Sequence, residues 1–303
     1  MAGFPYRLSG RELWAWRSRS VAEAEAHQID PAEVDWLLRG LCQVDGLALR
    51  LGTLEQLAVV PSQVTLSALE ALWAQRVGDR VPIQQLVGQT PWRDLTLRVS
   101  PAVLIPRPET ELIIDIVVAQ VAQSAQAASL RRGPWVDLGT GSGAIALALA
   151  RALPQTEILA VDVSAAALAI AQQNAVANGG GDRVQFFQGS WFEPLDRWRG
   201  QLAGMVSNPP YIPSVIVPTL APEVARHEPH LALDGGDDGL EAVRHLAQAA
   251  PDYLQSGSLW LIEHMEGQAP AIMALLAATN AFEAIQALPD LTGRDRFVCA
   301  TRR

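Results

Sequence analysis

A chain of 303 residues, 49% hydrophobic and 18% charged, has the length of about two domains and an ordinary globular composition, which excludes wholesale disorder and collagen-like or coiled-coil architectures. Its 23 cationic residues are all arginine, against 32 acids and a net charge of −9, so a Walker lysine, a Schiff-base lysine and a lysine general base are all excluded. Cys42 and Cys299 have no spacing for a disulfide framework or zinc site, no apolar run reaches the ~20 residues of a membrane span, and Arg7, Arg11, Arg17 and Arg19 interrupt any signal-peptide core, which together lead us to expect a soluble protein of the reducing cytoplasm.

Residues 1–82 read as a small helical domain. Ser9 and Glu12 have capping-box spacing, with Trp14, Trp16 and Val21 behind them. Asp30-Pro31 starts a second helix, in which Val34, Leu37, Leu38 and Leu41 recur at helical spacing. A third stripe runs through Leu66, Leu69, Leu72, Trp73 and Val77, and such stripes are core faces before they are ligand surfaces. From 83 to 104 the period shortens, and Leu95, Leu97 and Val99 alternate with polar residues, which predicts a linking β-hairpin. Residues 105–303 alternate helix and strand. Helices are expected at 111–121, 144–153, 165–177 and 240–253, and strands at 135–138, 158–161, 184–187, 205–207 and 258–262. That order implies an α/β fold, a parallel sheet covered on both faces.

The strand Trp135-Val136-Asp137-Leu138 runs into Gly139-Thr140-Gly141-Ser142-Gly143, and an apolar helix follows. Glycines let a backbone turn tightly and approach a ligand, and the helix start offers free N–H groups, so a nucleotide-like cofactor is expected on this turn. Gly139, Gly141 and Ala144 also satisfy the dinucleotide fingerprint. Two acids shift the balance from NAD toward S-adenosylmethionine. Asp162 ends the next strand, 19 residues after Gly143, where a carboxylate accepts ribose hydroxyls. Asp137 stands at the loop mouth, where a carboxylate would repel a pyrophosphate and could receive an ammonium or sulfonium group, or could instead bond loop amides.

Asn208-Pro209-Pro210-Tyr211 follows the fourth strand, at the carboxyl edge where open α/β sheets bind ligands. Two prolines stiffen the turn and remove two donors, so the Pro209 carbonyl and the Asn208 side-chain oxygen can converge on one NH₂ group. An amide or exocyclic base nitrogen is a poor nucleophile because its lone pair is delocalised. Holding both hydrogens aims it at a methyl donor and stabilises the charge that develops on it. Tyr211 offers a flat face to a planar amide or base.

Ile105-Pro106-Arg107-Pro108-Glu109-Thr110-Glu111, the loop from Asp137 to Gly143, and Asn208-Pro209-Pro210-Tyr211-Ile212 together resemble the HemK/PrmC family, which methylates the side-chain amide of glutamine in peptide chain release factors. Glu223-Val224, Glu228-Pro229, Leu231-Ala232-Leu233, the stretch from Gly235 to Leu240, Glu263-His264 and Gly293-Arg294-Asp295-Arg296 extend the likeness to the end of the chain. The resemblance implies a doubly wound, Rossmann-like methyltransferase sheet over residues 105–303, preceded by a helical substrate-docking domain and hairpin. It implies methyl transfer from S-adenosyl-L-methionine to the N5 nitrogen of the glutamine in a Gly-Gly-Gln motif. Gly139, Thr140, Gly141, Ser142, Gly143, Asp162 and Trp191 would then contact the cofactor, with Asn208 beside it. Asn208, Pro209, Pro210 and Tyr211 would hold the glutamine. Where the family commonly reads Ser-Asp-Trp-Phe, this chain has Gly189-Ser190-Trp191-Phe192, so a carboxylate that would accept from the adenine amine is replaced by a hydroxyl. Ala203-Gly204 stands where the family usually has an acid before the fourth strand.

The same Asn-Pro-Pro-Tyr turn serves enzymes that methylate the exocyclic amine of adenine in DNA. Phosphate binding favours a basic surface, yet residues 1–82 hold 8 arginines against 10 acids and residues 83–303 hold 15 against 22. A protein substrate is the favoured reading, ahead of DNA, of a non-catalytic adaptor and of an NAD-dependent oxidoreductase. None of His27, His227, His230, His245 and His264 has metal-ligand spacing, and His264 reads as a structural hydrogen-bonding residue.

Overall fold

The computed structural model describes residues 3–303, which form two compact units. The smaller comprises the described residues up to Gln89 together with Pro222–His227, and the larger comprises Thr90–Ala221 and Glu228–Arg303.

In the smaller unit the three expected helices are present as Gly10–Ala26, Ala32–Leu41 and Leu66–Gly78. The first two starts are capped as the sequence suggests, the Ser9 hydroxyl accepting from Glu12 N and Asp30 from Ala32 N at 2.9 Å, and at the third, where the sequence reading named no cap, Thr65 accepts from Ala68 N. Leu13, Trp16, Val34, Leu37, Leu38, Leu41, Leu69 and Trp73 are buried together, with Trp16 edge-on to Trp73 at 6.4 Å. Buried Arg76 donates to both Glu33 and Glu223, and Arg80 also pairs with Glu223. These pairs hold the helix Pro222–His227 on this unit, far in sequence from its neighbours there. Ile83–Val87, expected at the start of the hairpin, is helical, because Pro82 initiates a turn that Gly88, in the left-handed region at φ 78°, ends. The hairpin itself pairs Gln89–Trp92 with Leu95–Arg98.

The larger unit is built on a seven-stranded sheet: β1 Trp135–Leu138, β2 Ile158–Asp162, β3 Val184–Gln188, β4 Leu202–Ser207, β5 Leu254–Glu263, β6 Phe282–Pro289 and β7 Asp295–Arg302. The spatial order is β6-β7-β5-β4-β1-β2-β3. Pairs among β1 to β5 are parallel, while β7 runs antiparallel to both β5 and β6. The five expected strands are parallel to one another, and the two strands the sequence did not reveal, β6 and β7, make the sheet mixed at one edge. β6 was illegible because a register shift breaks its alternation after Glu283, with Ala284 at φ 49°. Helices α1 Leu112–Gln123, α2 Ala144–Ala152, α3 Ala165–Asn178, α4 Glu241–Tyr253 and α5 Ala269–Ala278 cover the two faces. Ala203-Gly204 lies inside β4, where a Cβ on Gly204 would stand 2.5 Å from the ring of Trp135, its register partner on β1. The glycine there makes room for a buried tryptophan.

Strand order reverses between β1 and β4, and Leu138 and Ser207 are register partners at their carboxyl ends. The residues that follow are Gly139 and Asn208. Both sequence motifs thus leave the sheet side by side, at the switch point where such folds open a crevice. Among the described residues, no helix is long and apolar enough to cross a membrane.

Candidate active site

A cavity of about 310 Å³ opens at this switch point, mostly apolar and lined with a few polar groups, within the size range of small-ligand sites. Gly139, Thr140, Gly141, Ser142, Asp162, Trp191, Asn208 and Pro210 line it, whereas Gly143, Pro209 and Tyr211 do not. Gly143 instead begins α2 at φ 82°, where a Cβ would press against Ala171 at 3.1 Å. Gly141 lies at φ 54°, and a Cβ there would meet no protein atom within 4 Å, so the loop backbone faces open space. The Trp191 ring lies 3.7 Å from where a Gly139 Cβ would stand, and Trp191 itself is held at φ 52°, a conformation bulky residues seldom adopt.

Asp162 accepts from Gly141 N at 2.8 Å and from Ser164 N at 2.9 Å. One oxygen positions the glycine loop, the other the start of α3, and the remaining lone pairs are available to hydroxyls lying in the cavity. Burial raises its pKa against the lowering effect of these amides. Asn174, a residue the sequence reading passed over, is completely buried on α3 and donates to Ser142 O at 2.8 Å while bonding both backbone groups of Arg98. It ties the hairpin to the glycine loop. An Asn amid alanines on a helix face was the only available signal.

Asp137 corrects an expectation. Its carboxylate is fully enclosed and does not line the cavity, because Oδ2 accepts from the Thr140 hydroxyl at 2.6 Å and from Ala146 N at 3.1 Å. It serves the start of α2 from beneath instead of receiving a cationic ligand. Burial pushes it up to about 7, and among the described residues Oδ1 has no hydrogen-bond partner. A carboxyl whose pKa rises on folding contributes stability below its unfolded pKa that is lost as pH climbs through the folded value. Melting temperature should therefore fall between pH 5 and pH 8. Asp137→Asn should be less stable in absolute terms, since its N–H groups inherit the unpartnered place of Oδ1, but its pH slope should be shallower. Equal slopes for the two proteins would refute this assignment.

The Asn208 amide donates to Thr110 Oγ1 at 3.3 Å, and among the described residues no group donates to its oxygen. Close approaches hold the turn: a Cβ on Gly235 would stand 2.8 Å from Pro210 O, one on Gly239 would stand 2.2 Å from Tyr211 O, and Gln268 donates to Tyr211 O at 2.9 Å. The Tyr211 hydroxyl donates to Glu263 Oε1 at 3.2 Å. Burial and the neighbouring Glu263 carboxylate keep that phenol far above its ordinary range, a neutral donor. Glu263 is pushed up to about 7, with burial the main cause, opposed by the Thr110 hydroxyl. Arg107, on the cavity wall, donates to buried Glu228 at 2.7 Å, joining two segments that the sequence offered only as family likeness. His264 bonds its neighbour Met265 O at 2.9 Å, and among the described residues no three His, Cys, Asp or Glu side chains are placed to hold a metal.

The model for the methyltransferase small domain matches residues 114–222. A release factor glutamine methyltransferase of Synechocystis is 50% identical over 97% of this chain and 97% of its own length. Those of Thermosynechococcus vestitus and Gloeobacter violaceus are 44% and 43% identical, covering 97% and 93% of this chain and 99% and 94% of theirs. The chain belongs to the release factor glutamine methyltransferase family. Among solved structures, the hMettl16 catalytic domain, crystallised with a MAT2A 3'UTR hairpin, superposes with a TM-score of 0.54 at 14% identity, over 78% of this chain and 80% of that one, and shows the shared fold. The methyl donor of this methyltransferase is S-adenosylmethionine, and the cavity fits it: an open glycine loop, a ribose-competent carboxylate and an indole wall, with no cation placed for a pyrophosphate on the loop itself.

Proposed function

We propose that this member of the release factor glutamine methyltransferase family methylates the N5 side-chain amide of the glutamine in the Gly-Gly-Gln motif of peptide chain release factors, in the cytoplasm, with Asn208 and the Pro209 carbonyl holding that amide. One observation carries the site reading: Asn208 donates an N–H to Thr110 and, among the described residues, no group donates to its oxygen, at the wall of the cavity that the glycine loop also lines. An acceptor fixed there suits an NH₂ group. S-adenosylmethionine supplies an electrophilic methyl when bound, and Gly139, Thr140, Gly141, Ser142, Asp162 and Trp191 would hold it. Asn208 and Pro209 orient the nucleophile and stabilise the positive charge it gains. The helical unit, which carries no catalytic constellation, supplies docking surface for a large protein substrate.

Incubation with labelled S-adenosylmethionine and a release factor should label the protein once, and a release factor with Ala in place of the Gly-Gly-Gln glutamine should take up no label. Undiminished labelling of that variant would contradict the reading.

A further inference from the structure

Pro209 and Pro210 have no N–H and fix their own φ, so the Asn208-Pro209-Pro210-Tyr211 turn is a stiff piece whose direction is set at its two ends. The first end is the last residue of β4, where the Ser207 hydroxyl donates to Leu138 O at 2.6 Å. Beyond the other end, Ile212 N donates to Leu233 O and Ile212 O accepts from Gly235 N. Among the described residues, the carbonyls of Pro209, Pro210 and Tyr211 receive a single donor, the Gln268 side chain, which reaches Tyr211 O at 2.9 Å.

Gln268 is 7% exposed and stands immediately before α5. Its Nε2 also lies 3.3 Å from Gly239 O and 3.4 Å from Asp238 O, while its Oε1 accepts from Met265 N at 3.0 Å. An amide has two donor hydrogens and an acceptor oxygen, so this one side chain ties together the turn, the stretch from Gly235 to Leu240 and the loop after β5. The fit leaves no spare room, since a Cβ on Gly239, at φ 76°, would stand 2.2 Å from Tyr211 O and 2.6 Å from Gln268 Nε2. The loop that carries Gln268 is fixed in turn from the start of β7. Both Asp295 oxygens accept from Gly267 N, at 3.1 and 3.0 Å, and Arg296 donates to His264 O at 3.3 Å. Three stretches with no part in the chemistry described so far thus converge on one carbonyl.

We propose that Gln268 is a positioning residue for methyl transfer: by holding Tyr211 O, it sets the direction in which the Pro209 carbonyl and the Asn208 side chain meet the substrate amide. The proposal rests on the role given to those two acceptors above. Gln268 does not line the cavity, so it acts only through the turn. Asp162 and Asn174 hold the glycine loop without bonding to the turn. Loss of Gln268 should therefore cost rate and spare cofactor affinity.

The test uses the full chain, with single-turnover methyl transfer to the release factor, the KM for that substrate, and calorimetric titration of S-adenosylmethionine, whose stoichiometry counts intact sites. Gln268→Glu keeps the volume and the acceptor for Met265 N but sets a carboxylate oxygen against Tyr211 O in place of a donor. Its rate per intact site should fall roughly 10- to 100-fold, the scale of loss for a misplacement of about 1 Å, with KM and cofactor affinity within about threefold of wild type. Gln268→Met removes donor and acceptor without adding charge, should show the same split, and carries the test if the Glu variant does not fold. A wild-type rate per intact site, or a loss confined to KM, cofactor affinity or the number of intact sites, overturns the proposal. Asn208→Ala at the wild-type rate overturns the Asn208 reading first, and the proposal with it. A slow Asn208→Ala beside Gln268 variants at full rate overturns the proposal alone.

Discussion

Replacing Asn208 with alanine should lower single-turnover methyl transfer by roughly 100- to 1,000-fold, the loss measured when one preorganised group facing developing charge is removed. The cofactor side of the cavity should survive the change. The glycine loop is positioned by Asp162, Asn174 and Asp137, none of which bonds to Asn208. S-adenosylmethionine affinity should therefore remain near wild type, which separates a chemical defect from a binding one. Asn208→Asp should do less harm, because a carboxylate oxygen still accepts and the Thr110 hydroxyl can turn to donate to it. Near-normal turnover by the alanine variant would remove Asn208 from the chemistry. Loss of cofactor binding with no separate rate defect would move it to the cofactor site.

The second large effect is expected at Asp162. Charge-assisted bonds from its carboxylate to ribose hydroxyls are each worth on the order of 1.5–3 kcal/mol, so Asp162→Ala should weaken S-adenosylmethionine binding by at least roughly 10- to 150-fold. The structure adds a further cost, since the same carboxylate accepts from Gly141 N and Ser164 N, and its removal frees both the loop and the first turn of α3. Asp162→Asn, which keeps one acceptor, should fall between the two. Calorimetric titration measures this directly. An unchanged dissociation constant would place the ribose elsewhere.

Much of the site was legible because its residues sit immediately after strands whose apolar runs mark them plainly. Trp135 to Leu138 and Met205 to Ser207 end where the glycines and prolines begin, and neighbouring register then brings Gly139 beside Asn208. What the sequence concealed was depth and direction. Asp137 and Asp162 both end up next to the glycine loop, but one strand-end carboxylate points under it and the other into the cavity, a difference set by the Thr140 hydroxyl and the amides of α2. Glu263 and Thr110 were visible only as family likeness, since an isolated acid at the end of a strand carries no signal of burial. The hairpin of β6 and β7 was missed because a bulge interrupts β6 and the run Phe297 to Ala300 in β7 is buried without alternation. The excursion Pro222–His227 was hidden too, because its anchor, Arg76, lies 147 residues away from Glu223.

The most direct test of the account offers both candidate nucleophiles at once. Enzyme, labelled S-adenosylmethionine, unmethylated release factor and unmethylated DNA are incubated together, and the methyl group is mapped by mass spectrometry of peptides and nucleosides. The label should sit on the side-chain amide nitrogen of the Gly-Gly-Gln glutamine and should be lost with Asn208→Ala. Label on adenine, or on any release factor residue other than that glutamine, would contradict the account.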